Sequence, residues 1–182
     1  MLLTCQHPLE LRSFQEHMSD DLFALVERNR EHLQKWLMWV PHTKSPKDSL
    51  LFLQGAQQFV KEKQAFRGGI FWNGDLVGAI GFHEFHKQDR CASIGYWLSK
   101  DMTGKGIVTN AVKRIVQHGF EDLSLHRLEL RAATENIKSW KIAERVGFQR
   151  EGCIRECSFV HGRYLSHYVY GMLKEDFLKQ VP

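Results

Sequence analysis

Hydrophobic positions change their spacing along the chain, and the changes mark out the elements. Leu22, Leu25 and Val26 recur at helical spacing and lead to Asn29, behind Ser19-Asp20-Asp21, which reads as an N-cap with an acidic first turn. A second helical piece over 31–39 must stop near Pro41, because proline lacks an N–H and restricts the residue before it. Ser45-Pro46 restarts a helix with a cap and a proline at its first position, and Leu50, Leu53, Phe59 and Val60 give that helix an apolar face. Ahead of these helices, Leu9, Leu11 and Phe14 fit a short opening strand.

The period then shortens. Residues 69–72 and 76–85 read as two strands of a hairpin, with Asn73-Gly74 as its two-residue turn. Another strand covers 91–98. Ile107, Val108, Ala111, Val112, Ile115, Val116 and Phe120 form a helical stripe. A strand over 126–132 and a helix over 137–146 closed by Gly147 follow, and 148–160 and 164–173 flank His161-Gly162 as a closing strand pair. The order β, α, α, β, β, β, α, β, α, β, β, without repeat or linker, predicts one α/β domain over 1–182 with a mixed sheet flanked by helices.

Composition narrows the class without naming a function. Hydrophobic residues make up 43 % and charged residues 25 %, as in an ordinary globular protein, and no stretch approaches the roughly 20 apolar residues of a membrane span. The net charge of +4 is spread without basic runs, so no direct nucleic-acid binding is expected. The first residues show no basic region followed by an apolar run. Cys5, Cys91, Cys153 and Cys157 fit neither a CxxC motif nor a disulfide scaffold. Free thiols and a cytoplasmic location are the expectation.

Chemistry concentrates where the strand over 91–98 hands over to the helix at 107. Thr103-Gly104-Lys105-Gly106 stands at that junction. A helix N-terminus presents backbone N–H groups and the positive end of the helix dipole, a natural seat for phosphate. Glycines at 104 and 106 permit a tight turn and a close approach to the backbone, and Lys105 adds a cation. A glycine-rich turn without any ligand fits the same residues. A Walker loop is excluded by spacing, and a Rossmann fingerprint lacks its third glycine. Downstream, Asn136 and Ser139 open the helix over 137–146, as caps or as a second wall of the same site.

Ile94-Gly95-Tyr96-Trp97-Leu98, Gly104-Lys105-Gly106-Ile107, Asn136-x-x-Ser139 and Gly147-Phe148, in this order, resemble the GNAT superfamily of acetyl-CoA-dependent N-acetyltransferases. More narrowly, they are similar to its ribosomal-protein serine/alanine N-terminal acetyltransferase branch, the RimJ/RimL type, and Glu151-Gly152 and Gly162-Arg163-Tyr164 extend the likeness over nearly the whole chain. The resemblance implies the acyl-CoA N-acyltransferase fold, with a twisted sheet splayed between the strands at 91–98 and 126–132. It implies acetyl-CoA as cosubstrate and a homodimer; no metal is expected, because His83 and His86 have no third or fourth ligand near at a usual spacing. It sets Trp97 and Leu98 against the pantetheine amides, and Gly104, Lys105, Gly106, Ile107, Val108 and Thr109 under the diphosphate. It gives Asn136 the pantetheine arm, Ser139 the thioester sulfur as proton donor, and Lys141 the nucleotide end. Thr103, Val108 and Ser166 depart from the usual pattern, which has Arg or Gln, Gly or Ala, and Asp there.

The implied reaction is direct attack of an amine on the thioester, so no nucleophilic side chain is needed. A protein α-amino group, with a pKa of about 7.7–8.0, is roughly one-tenth neutral at pH 7, whereas a lysine at about 10.4 is neutral to well under a thousandth. An α-amine acceptor therefore asks only for a modest base. Glu84 and His83 are the candidates, on opposite faces of their strand by alternation. Glu84 shares the side of Ile80 and Phe82, so it is expected to be the more buried. A water chain without a dedicated residue is the other option. Backbone N–H groups near Tyr96 and Trp97 would serve the oxyanion. Trp36 and Trp39, with Tyr96, are candidate walls for the acceptor, although packing of a short helix explains the tryptophans equally well. The acceptor is expected to be a protein N-terminus, with a ribosomal protein in view; the alternatives are a small amine or antibiotic, or a module that binds CoA without turnover.

Overall fold

The structure is a computed structural model that describes residues 1–180. It resolves into two compact units: Met1–Gly81 with Tyr96–Ala111, and Phe82–Gly95 with the chain from Val112 onward. Strands β4 (Asp75–His86) and β5 (Cys91–Leu98) and helix α4 (Ile107–Gln117) pass from one unit to the other.

The first unit begins with β1 (Leu2–Thr4) and β2 (Leu9–Ser13), paired antiparallel, and β2 pairs in turn with β3 (Arg67–Trp72). β1 was not expected; three residues are too few to show a period. The Asn73-Gly74 turn joins β3 to β4, with both residues at positive φ (52° and 87°) as such a turn demands. Helix α1 (Ser19–Arg28) is entered from a 3-10 turn at Glu16–Met18, so Met18 rather than Ser19 is its N-cap and no side chain caps it. The helical piece expected over 31–39 is shorter: α2 covers Arg30–Leu33, and a further 3-10 turn at Val40–His42 includes Pro41. Helix α3 (Pro46–Lys63) starts as the sequence predicts, and the Asp48 carboxylate accepts from the Ser45 N–H and hydroxyl, both at 2.9 Å. Leu22, Val26, Leu33, Val40, Leu53 and Ala79 build the core of this unit, and Trp97 packs on it from β5.

In the second unit, α4 ends in a π-helical turn, His118–Asp122, and the chain enters β6 (Arg127–Ala133). Helix α5 (Ile137–Val146) has the bounds its apolar spacing predicts. It closes on Gly147 at φ +97°, with the N–H groups of Gly147 and Phe148 both returning to Ala143 O. β7 (Gln149–Val160) and β8 (Arg163–Leu173) form the closing pair, and a short helix α6 (Lys174–Leu178) follows, which the sequence reading missed. The order is β5-β6-β8-β7, parallel between β5 and β6 and antiparallel thereafter. Tyr170 is fully buried, and its hydroxyl donates to Glu144 Oε1 at 3.1 Å, tying β8 to α5; burial and that carboxylate push its pKa up to about 12.

Candidate functional site

The first unit carries the predicted anion seat. The N–H of Ser99 donates to Val77 O at 2.8 Å, so β4 still holds the chain as β5 ends. Gly78 lies directly beside the Trp97 carbonyl and leaves no room for a Cβ. Trp97 is half-buried, its ring 6.0 Å from that of Trp39, and Leu98 is buried. One candidate acceptor wall thus packs on one candidate cofactor residue; Trp36 and Tyr96 are half-buried in the same unit.

Asn29 fixes where the turn begins. It is 8 % exposed; its side-chain amide donates to Leu25 O at 2.9 Å, and its Oδ1 accepts the Lys100 N–H at 2.8 Å. Sequence reasoning saw Asn29 only as a helix position, because the partner 71 residues away is invisible in a linear pattern. A 3-10 turn at Lys100–Met102 follows, and Thr103 Oγ1 donates to Lys100 O at 2.8 Å.

Gly104 and Gly106 sit at φ +82° and +75° on either side of Lys105, with open space where a Cβ would stand at each. Glycine is required here for the backbone path rather than to relieve crowding from neighbouring protein atoms. Gly104, Lys105 and Gly106 are exposed, while the Ile107, Val108 and Thr109 side chains are buried, which leaves this turn facing solvent with its backbone. The first bond of the α4 ladder runs from Asn110 N–H to Gly106 O at 3.0 Å. A turn with alternating left-handed residues leading into a helix N-terminus gathers amide dipoles in the manner of an anion-binding nest. The Lys105 ammonium lies 3.3 Å from Met102 Sδ.

The second unit holds the other candidates. β5 and β6 pair in register over Cys91↔Arg127, Ala92↔Leu128 and Ser93↔Glu129 and then part, although β6 runs on to Ala133. Ile94 and Gly95 have no register partner on β6 among the described residues. Asn136 is the N-cap residue of α5, half-buried, and its side chain makes no capping bond. Capping therefore does not explain why an asparagine stands there. Its carbonyl accepts the N–H groups of Ser139 (2.9 Å) and Trp140 (3.2 Å). Ser139 is half-buried in the first turn of α5. Lys141 is exposed, its ammonium 6.0 Å from the Trp140 ring centroid.

The expected burial of Glu84 is not found. Glu84 and His83 are both exposed, and Glu84 adopts φ +43°, a left-handed kink that interrupts the alternation on which the expectation rested. The His83 ring lies against Gly95, where a Cβ would come within 2.9 Å of it. A different histidine stands out instead. His167 on β8 is half-buried, and burial together with the Arg131 guanidinium holds its imidazole pKa below the ordinary value.

Comparison with known proteins gives a consistent set of relatives. The family described as acetyltransferase (GNAT) domain matches residues 9–149. The ribosomal-protein-serine acetyltransferase of Escherichia coli (strain K12) is 30 % identical over 156 residues, covering 86 % of this chain and 87 % of the relative. YdaF of Bacillus subtilis (strain 168), whose name carries a provisional assignment as a ribosomal N-acetyltransferase, is 29 % identical over 97 % of this chain and 98 % of its own. Among solved structures, RimL, a ribosomal L7/L12 α-N-protein acetyltransferase in complex with coenzyme A, superposes with a TM-score of 0.91 at 25 % identity, covering 95 % of this chain and 98 % of that one.

Proposed function

Because this chain belongs to the acetyltransferase (GNAT) family, we propose that it is a single cytoplasmic N-acetyltransferase domain that moves an acetyl group from acetyl-CoA to the N-terminal α-amine of a protein, in the first instance a ribosomal protein. The observation that carries the reading is the turn at Gly104-Lys105-Gly106: two left-handed glycines, exposed, opening onto the N-terminus of α4. A diphosphate fits it, since the space a Cβ would take is open at both positions and the local dipoles favour negative charge. The early end of the β5–β6 ladder supports the reading as well, because backbone groups beyond Ser93 must be satisfied by something other than β6.

Acetyl-CoA supplies an activated carbonyl; the chain supplies position and proton transfer. The amide of Lys105 and those of the first turn of α4 hold the diphosphate, with the Lys105 ammonium beside it. The Asn136 side chain, unused in capping, serves the pantetheine amides, along with the backbone of Trp97 and Leu98. The neutral amine forms a bond to the carbonyl carbon and the carbon–sulfur bond breaks, its electron pair leaving with sulfur. Sulfur takes a proton from the Ser139 hydroxyl, which recovers one from water, and the nitrogen gives up a proton to a base. Backbone N–H groups near Tyr96 and Trp97 serve the oxyanion. Trp36, Trp39 and Tyr96 line the acceptor, and the packing of Trp39 on Trp97 supports that assignment.

Release of free thiol from acetyl-CoA, measured against peptides beginning with serine or alanine alongside polyamines and aminoglycosides, tests the proposal. Peptides are expected to turn over best. Turnover confined to small amines would overturn the acceptor assignment, and CoA binding without turnover on any amine would leave a binding module.

A further inference from the structure

Resting on the acetyl-transfer reading, we propose that His167 is the base that takes the proton released when the acceptor amine becomes an amide. Its place in the second unit is set by backbone bonds. His167 is the register partner of Ala133, the last residue of β6, and the neighbouring Thr134 N–H donates to Ser166 O at 2.9 Å. From there two successive turns carry the chain to Ser139. Asn136 N–H returns to Ala133 O at 2.9 Å, and Ser139 N–H donates to Asn136 O at 2.9 Å. The histidine and the proposed proton donor thus hang from the same short set of peptide units.

Alternation assigns the face. Leu130 pairs with Tyr170 and Ala132 with Tyr168, and both tyrosines meet α5: Tyr170 through Glu144, and Tyr168 edge-on to Trp140 with ring centroids 6.0 Å apart. His167 stands on the other face, with Ala133 beside it on β6 and Ile154 beside it on β7. The incoming nitrogen and the departing sulfur share one carbon, so acid and base must reach the same point, and from opposite faces they do so only through the opening beside β6 beyond Glu129, where its pairing with β5 has ended.

The surroundings suit a proton acceptor. The direct partners Ala133 and Ile154 are apolar, and the charged neighbour acting on the ring is Arg131 of β6, whose guanidinium is itself paired with Glu129 at 2.6 Å. On the β7 side, the backbone N–H of Glu156 donates to Ser166 Oγ at 3.1 Å, and the Glu156 side chain is exposed. His118, by contrast, has Nδ1 2.7 Å from Asp122 Oδ2, whereas His167 has no carboxylate partner among the salt bridges of the described residues. Burial and a nearby cation both disfavour the imidazolium, so the ring is neutral at pH 7 with a lone pair available. A base weaker than a free amine suffices, because the nitrogen that has attacked the thioester is positively charged and gives up its proton readily. Imidazolium then releases that proton to water.

The test compares wild type with His167→Gln across pH, using a peptide acceptor. The free α-amine, with a pKa of about 7.7–8.0, gives log kcat/KM a slope of about 1 on its acid side. A neutral histidine required for catalysis adds a second limb below pH about 6.5, where the slope approaches about 2. The variant is expected to lose that second limb, to lose roughly a hundredfold or more in kcat/KM at pH 7, and to keep its KM for acetyl-CoA. Activity within about threefold of wild type, or a retained second limb, would overturn the proposal. His167→Ala with added imidazole is the companion variant; recovery of rate supports a proton-transfer role, and folding of both is checked by thermal melting. If no peptide is acetylated but a polyamine is, the same comparison on the polyamine still tests His167 and only the acceptor reading falls. If no amine is acetylated, both fall.

Discussion

Replacing Gly106 separates the two properties the proposed phosphate seat depends on, the backbone path and the charge. At φ +75°, with nothing within 4 Å of the place a Cβ would take, alanine meets no clash and bears only the left-handed penalty, about 1–2 kcal/mol. For a chain of this size that lowers Tm by roughly 2–8 °C. Asparagine and aspartate tolerate this region better, so Gly106→Asn and Gly106→Asp should both melt above Gly106→Ala. Those two differ from one another by a single charge at nearly constant shape. A carboxylate about 4 Å from a phosphate charge costs about 1 kcal/mol at the dielectric of water and about 4 kcal/mol at an effective value of 20. Because position 106 is exposed, the lower part of that range applies. Isothermal titration with CoA should give Gly106→Asp a Kd at least about fivefold weaker than Gly106→Asn at low salt, a gap that narrows as salt is added. Equal affinities for the pair, within about twofold, would refute the placement of the diphosphate on this turn.

Three further outcomes follow from the described contacts. Ser139→Ala should lower kcat with little change in the KM for acetyl-CoA, read by steady-state thiol release, and unchanged kcat would remove its role as proton donor. Gly78→Ala forces a methyl group into the Trp97 carbonyl, so thermal melting should show a loss of about 2–4 kcal/mol, unlike the milder Gly106→Ala. Glu151 is held below the usual carboxylate range by its bond to Arg127, which stabilises the fold above the unfolded value of about 4.3 and is lost as pH falls through the lower folded value. Glu151→Gln should therefore cost at most about 1 kcal/mol at pH 7, given the partial exposure of the pair, and the difference in urea midpoint from wild type should shrink as pH falls below the unfolded value of about 4.3.

What the sequence revealed divides along physical lines. The Asn73-Gly74 hairpin, β5 and α5 were legible because each is specified locally, by turn chemistry, by a strand-length apolar run, or by an apolar face closed with glycine. The start of α1 was misread: Ser19 has a capping composition, but the 3-10 turn before it already carries the chain into the helix. Glu84 was misread because alternation assumes an unbroken strand, and the kink at φ +43° has no clear signature in Phe82-His83-Glu84-Phe85. His167 carried no signal at all. What sets it apart is burial and Arg131 on a neighbouring strand, both products of long-range register. Gly104 and Gly106 were legible as a tight turn, and both sit at positive φ.

Asn29 has a wider consequence. Through one side chain it welds the end of the first helix to the peptide just upstream of the glycine-rich turn. A random mutagenesis survey scored on growth or turnover would therefore flag a position that meets no reactant. Its phenotype would be mistaken for a chemical defect unless the geometry of Lys100 were followed at the same time.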